Sequence, residues 1–187
     1  MSRQKTITIA IVFAVVFSCG WAVAEEAPQQ LKNMAMGEFA RLGTDPVIVA
    51  VVKAENAKGK TLDKIKAKDQ EWTATPGIAD YMKALMDSPC GKHLREIQQS
   101  APYYAEIFVM DNQGANVAMT DKTSDYWQGD EAKFQKSFNG GSGAVFVDEV
   151  EFDDSSQAYL CQVSVPVMDG TRAIGAITIG VDMDQLQ

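Results

Sequence analysis

Between a strand-like run and an amphipathic helix lies TDKTSDYWQGDE, residues 120–131, which gathers hydroxyls, four carboxylates and two adjacent aromatic rings. Thr120, Asp121, Thr123, Ser124 and Asp125 can each close a side-chain turn onto nearby backbone, but a turn needs only one or two such groups. Here they are followed by Tyr126, Trp127 and Gln128, so aromatic walls adjoin directed polar groups, the composition of a small-ligand pocket. Asp121 and Asp125 beside Tyr126 and Trp127 suit an amine or other cation through charge pairing and cation–π attraction. Lys122, Lys133 or Arg172 could instead receive a carboxylate. Both ligand classes stay open, with the amine preferred. Tyr104, Tyr159 and Ser164, on strand-like runs, are further candidates. Gly129, Asp130 and Glu131 are accounted for as the start of the next helix, with Asp130 as its cap.

Other chemistries find no comparable residue set. His93 is the single histidine, and on a polar helix it reads as a surface residue, so a Ser-His-Asp arrangement has little to draw on. GGSGA, residues 140–144, misses the nucleophile-elbow pattern and lies in no strand-to-helix context. Zinc needs clustered Cys and His, and phosphate-cradling glycine, haem and EF-hand spacings are absent from the sequence. The expectation is a non-enzymatic domain without cofactor, an unrecognised carboxylate-based hydrolase being the rival. Asp148, Glu149, Glu151, Asp153 and Asp154 could serve a cation, but alternation along a strand divides them between two faces, which predicts a solvated hairpin.

These residues need elements to position them. Leu31, Met34, Ala35, Phe39 and Leu42 recur at helical spacing over residues 30–42. Thr44-Asp45-Pro46 then opens a second helix ending near Gly59. A third starts at Thr61, with Lys64, Ile65, Lys68 and Trp72 on one side. The lysines of residues 53–68 read as a solvated face. Helices follow over residues 78–86 and from Ser88-Pro89 through Ile97. After Pro102 the texture changes to strands. Tyr104 to Met110 and residues 115–119 form a hairpin about DNQG, and residues 130–138 form a short helix. Residues 145–152, 158–167 and 172–182 are three further strands. Helices first and strands after predict an α+β fold with an antiparallel sheet.

The chain opens with Arg3 and Lys5, an apolar run over residues 7–17, and Ala22-Val23-Ala24, the order of a secretory signal peptide. Cleavage after Ala24 is expected; lipid attachment at Cys19 and an uncleaved anchor are the alternatives. The roughly 160 residues that follow are enough for one domain, residues 25–187, with a real core. Without residues 1–24 the net charge falls from −8 to −10, which disfavours nucleic acid and anionic membrane surfaces as partners. Residues 25–100 balance eleven basic against eleven acidic side chains, whereas residues 101–187 carry four against fourteen. Cys90 and Cys161 could pair as a disulfide in an oxidising compartment. Each also sits in apolar company, where a free cysteine acts as a small hydrophobe.

The element order, with EIFVMDNQGANVAMTDKTSDYWQGDEAKF, YLCQVSVPVMDG and AIGAITIGVDMDQL, resembles the Cache superfamily of extracytoplasmic, PAS-like sensor domains. The upstream VKAENAKGKTLDKIKAKDQEW is similar to the helical preface of free-standing periplasmic members. The resemblance implies a five-stranded antiparallel sheet behind long N-terminal helices (residues 25–100, then 101–187) and a small-molecule pocket between sheet and connector. It implies a periplasmic sensor and, with the chain ending at Gln187, a separate membrane signalling or transport partner. A homodimer through the long helices is a further expectation. The connector lacks the His or Arg that citrate-type and many amino-acid-type relatives use, so neither ligand transfers. A ligand-free structural or interaction module is the remaining alternative.

Overall fold

The computed structural model describes residues 25–153 and 157–186. The expectations for residues 1–24, Cys19 included, lie outside the described residues, as does Asp154. α1 (Gln29–Met34), a π-helical turn (Ala35–Phe39) and α2 (Ala40–Leu42) follow one another and bury Leu31, Ala35 and Phe39. α3 (Pro46–Ala57) starts where Asp45 Oδ1 accepts the Val47 and Ile48 amides at 2.8 and 3.2 Å, with proline in the first turn. α4 (Leu62–Ala74) starts at Thr61, and only its Ile65 and Trp72 are buried. α5 (Asp80–Met86) and α6 (Pro89–Gln98) complete the helical region; Ser88 Oγ caps α6 by accepting the Gly91 amide at 2.9 Å. No described helix is long and apolar enough to cross a membrane.

The strands are β1 (Tyr104–Met110), β2 (Asn116–Met119), β3 (Phe146–Asp153), β4 (Ala158–Asp169) and β5 (Arg172–Asp182). They form one sheet in the order β2-β1-β5-β4-β3, and every neighbouring pair is antiparallel. This is the α+β architecture that the sequence and the Cache resemblance imply, a five-stranded antiparallel sheet with N-terminal helices. Strand alternation divides the core in two. Ile107, Val109, Val163, Val165, Ile177 and Ile179 pack toward Leu31, Phe39, Ile48 and Val52 of the N-terminal helices. Phe108, Met110 and Ala176 point the other way, toward Ile65, Trp72, Met82, Tyr126 and Phe134. The second face is therefore roofed by α4, by the connector after β2, and by α7 (Ala132–Phe138).

Candidate functional site

The connector's polar groups bond mostly to the protein itself. Thr120 Oγ1 accepts the Ile107 amide at 2.9 Å, and the Thr120 carbonyl accepts Arg95 Nη2 at 2.7 Å. Thr123 Oγ1 accepts Asn116 Nδ2 and donates to the Asp125 carbonyl, both at 2.7 Å. Gln128 Nε2 donates to that carbonyl at 2.9 Å and Asn116 Nδ2 at 3.1 Å, which leaves Asn116 Oδ1 and Gln128 Oε1 as buried acceptors without a protein donor. Thr120, Thr123 and Gln128 are buried and bond to the protein, Thr123 and Gln128 in local turns to the Asp125 carbonyl and Thr120 across to Ile107 of β1. Ser124 Oγ donates to Asp125 Oδ2 at 2.6 Å, and Asp121 Oδ2 accepts Gln98 Nε2 at 2.9 Å.

The other half of the connector is held by the helical region. Asp69 Oδ1 on α4 accepts the Tyr126 and Trp127 amides at 2.8 and 3.0 Å, and Trp72 Nε1 donates to the Thr123 carbonyl at 2.8 Å. The Trp72 and Tyr126 rings lie 5.7 Å apart. Lys60 Nζ donates to Tyr126 Oη at 2.9 Å and pairs with Glu55 at 2.8 Å and Asp111 at 3.5 Å. Burial pulls the Lys60 ammonium down, but its bonds to Glu55 and Tyr126 outweigh that and raise its pKa; burial likewise pushes Glu55 up, and Lys58 and Lys60 bring it below its usual range. Lys66 Nζ sits 4.5 Å from the Trp127 ring centre, in a groove it shares with Asp69, Asp125 and Asp130. The lysine run is thus more than a solvated face. The place an external amine would take beside Asp125 and Trp127 holds a lysine of the same chain.

On the far side of the connector is a cleft of about 310 Å³, lined by Lys133 of α7, Leu160 and Gln162 of β4, and Asp148, Glu149, Glu151, Phe152 and Asp153 of β3. A bulge builds this wall. Val147 pairs with Val163 and Val150 with Cys161, so β3 has one extra residue opposite Gln162. Past the bulge the alternation changes phase, and Glu151 and Asp153 fall on the same face as Gln162. Regular alternation divides these carboxylates and the bulge regroups them, while Glu149 and Glu151 stay exposed to solvent, as the solvated-hairpin expectation has it. Among the described residues, no three His, Cys, Asp or Glu side chains gather closely enough to hold a metal ion; the acids form a wall.

Glu106 of β1 adjoins the cleft through Gln162, which lines it: Glu106 Oε1 accepts Gln162 Nε2 at 3.0 Å. It lies across Gly180, its partner on β5, where a Cβ would stand 2.6 Å from Glu106 Cγ. Burial raises the Glu106 pKa. The Gln162 bond and Lys133 oppose the rise, and Asp153 and Asp121 add to it. Lys133 pairs with Glu131 at 3.0 Å, lies 5.7 Å from the Phe108 ring centre and is 15% exposed. Of the cations considered for a carboxylate ligand, only Lys133 lines the cleft. Lys122 Nζ donates to the Thr75 and Gly77 carbonyls at 2.9 and 2.8 Å, and Arg172 is exposed at the β4–β5 turn.

The remaining candidates are scattered. Tyr159 is 52% exposed on the opposite sheet face, its ring edge-on to Phe152 at 5.2 Å, in a separate groove with Glu25 and Met183. It is removed from the connector because β4 alternation pairs it with the face of Cys161 and Val163. Tyr104 also faces the helices and donates to Glu38 at 2.6 Å, whereas Ser164 is buried on the cleft side and shares a 2.8 Å bond with Thr178. Asp130 is no cap: Glu131 precedes α7, and its side chain makes no capping bond. Gly129 does more than start a helix, since its Cα would be 2.5 Å from a Cβ on Gly114. Cys90 and Cys161 are free and buried rather than bridged; Cys161 Sγ instead donates to the Asp148 carbonyl at 3.2 Å. His93 is half-buried, its Nε2 3.0 Å from Asp45 Oδ2.

No protein-family model matches the chain, and no curated protein matches it. Among solved structures it is similar to the sensor domain of the Vibrio cholerae histidine kinase DctB, at 13% identity and TM-score 0.43 over 84% of this chain and 51% of that one. It is similar to the sensory domain of the Campylobacter jejuni chemoreceptor Tlp3, at 15% identity and TM-score 0.43 over 86% of this chain and 67% of that one. The ligand-binding domain of the Pseudomonas aeruginosa amino acid chemoreceptor PctC, in complex with GABA, matches at 10% identity and TM-score 0.38 over 80% and 60%. The chain spans about half to two thirds of the length of these domains.

Proposed function

We propose that this chain is a periplasmic, non-enzymatic sensor domain of the Cache type. In this reading it binds a small amine-bearing molecule in the cleft between the sheet and α7, and passes its state to a membrane partner. The carrying observation is Glu106, a half-buried carboxylate whose closest partner is the neutral Gln162 amide, beside a wall with four acids and one lysine. An ammonium group supplies the charge and the N–H donors that this carboxylate lacks. The Cache resemblance of the sequence supports the sensing role. Asp121 stands outside the cleft lining, near Glu106 through Gln98, whose Nε2 bonds both Asp121 and the Ala105 carbonyl. Asp125 and Trp127 line the groove held by Lys66. A ligand preferring one arrangement of α7 and connector would shift the population toward it in proportion to its differential affinity.

A thermal-shift screen of small amines against small carboxylates tests this reading. Amines are expected to raise the melting temperature of the wild-type chain and to lose that effect in Glu106→Gln. Stabilisation by carboxylates alone would sink it.

A further inference from the structure

We propose that residues 60–76 form a hinged strap, and that its docking on the connector regulates the cleft. This rests on the cleft being the binding site. Gly59 and Gly77 bracket the segment with φ of +59° and +67°, and nothing lies within 4 Å of a Cβ at either position. Both joints therefore have the left-handed backbone that glycine adopts without strain, in open space. Between them, α4 buries only Ile65 and Trp72. The segment's remaining hold on the connector is through polar groups: Asp69 on the Tyr126 and Trp127 amides, Trp72 on the Thr123 carbonyl, Lys66 on the Trp127 ring, and Lys60, just before α4, on the Tyr126 hydroxyl and ring. Lys122 of the connector returns two bonds, to the carbonyls of Thr75 and Gly77. A segment with few buried apolar groups and a polar latch opens at lower free energy than the sheet beneath it.

The same connector is tied to the cleft's surroundings at both ends. At one end Asp121 accepts Gln98 Nε2, which also donates to the Ala105 carbonyl beside Glu106, and at the other Glu131 pairs with Lys133, which lines the cleft. The strap grips the stretch between, from Thr123 to Trp127. When docked, it fixes the backbone that positions Asp121 and α7 about Glu106; when released, it frees both ends together. Ligand in the cleft and strap on the connector thereby bias one equilibrium.

Native-state hydrogen exchange on the ligand-free chain, residue by residue at increasing sub-denaturing guanidinium, tests the strap separately from the ligand. Amides of α4, Tyr126 and Trp127 are expected to exchange through a shared opening, at least about tenfold faster than Ile177 and Ile179 in the central strand β5. In Asp69→Ala the Tyr126 and Trp127 amides are expected to speed up by about tenfold more, with β5 unchanged. If α4 and these two amides exchange only at the β5 rate in the wild type, the strap is part of the global core and the proposal fails. It fails equally if Asp69→Ala accelerates β5 as much as the connector. Failure of the amine screen leaves this measurement unaffected.

Discussion

The two sides of the connector treat carboxylates in opposite ways. On the strap side, Asp69 accepts two backbone amides, and Glu55 and Asp111 share Lys60. On the cleft side, Glu106 is bonded to a neutral amide, and one lysine faces four acids along the wall. The two sets shift in opposite directions: Glu55, brought in by α3, lies below its usual range and Glu106 above it. Paired charge fastens the connector, whereas in the proposed reading the acids of the cleft would attract an ammonium group from outside.

The strongest way to break this comparison is to remove the aromatic plug on the strap side. Trp72 is fully buried and gives its indole N–H to Thr123, so Trp72→Ala is expected to cost about 3–5 kcal/mol in urea unfolding. On the cleft side the largest effect is expected from Gly180→Ala. A Cβ 2.6 Å from Glu106 Cγ would push that side chain off Gln162. The expected cost is about 1–3 kcal/mol, together with loss of the amine-induced melting shift. An unaltered amine response in Gly180→Ala would show that Glu106 need not lie where it does.

These two regions were unequally legible in the sequence. Helix starts such as Asp45-Pro46 and Ser88-Pro89, and the alternating strands, are local patterns, and the elements follow them closely. The connector too announced itself by composition, but composition does not tell a ligand-facing carboxylate from one whose neighbours bond to protein. That distinction depends on partners far along the chain, as when Asp69 meets Tyr126 and Trp127. Glu106 carries no signal in YAEIFVM, because its burial comes from the Gly180 opposite it and from Gln162 on a strand beyond. The acid wall was hidden for a further reason. Pairing with β4 places the bulge, and until it is known the alternation of VDEVEFD divides its acids between two faces.

A pH series sharpens the contrast because the signs are opposite. Glu106 has a raised pKa in the folded state, so the fold binds its proton more tightly than the unfolded chain does. Its contribution is therefore lost as pH rises from the ordinary value of 4.5 through the folded value. Glu106→Gln should match the wild type in stability below that window and exceed it by an amount that grows across the window and then stays constant. Glu55 behaves conversely. Its stabilisation is present above 4.5 and is lost as pH falls through its depressed folded value, so Glu55→Gln should be weaker than wild type at neutral pH and converge on it in acid. Denaturation midpoints from pH 3 to 8 (about one measurement per pH unit) would check both trends.

The smallest expected effects come from two connector aspartates that look equivalent in sequence. Asp125 sustains the connector through its carbonyl, which accepts Asn116, Thr123 and Gln128, while its carboxylate receives Ser124 and faces the groove held by Lys66. Asp125→Ala keeps that carbonyl, so stability should change by no more than about 0.5 kcal/mol and the amine response should persist. Asp121 is exposed to solvent but acts on Glu106. Its removal should weaken amine binding by about twofold to fivefold, the effect of losing a partly screened charge worth ~0.5–1 kcal/mol. Titration calorimetry of both variants with whichever amine gives the largest melting shift separates them. Equal losses in the two would place ligand contact along the whole connector, and a loss confined to Asp125→Ala would move the site to the groove beneath Lys66.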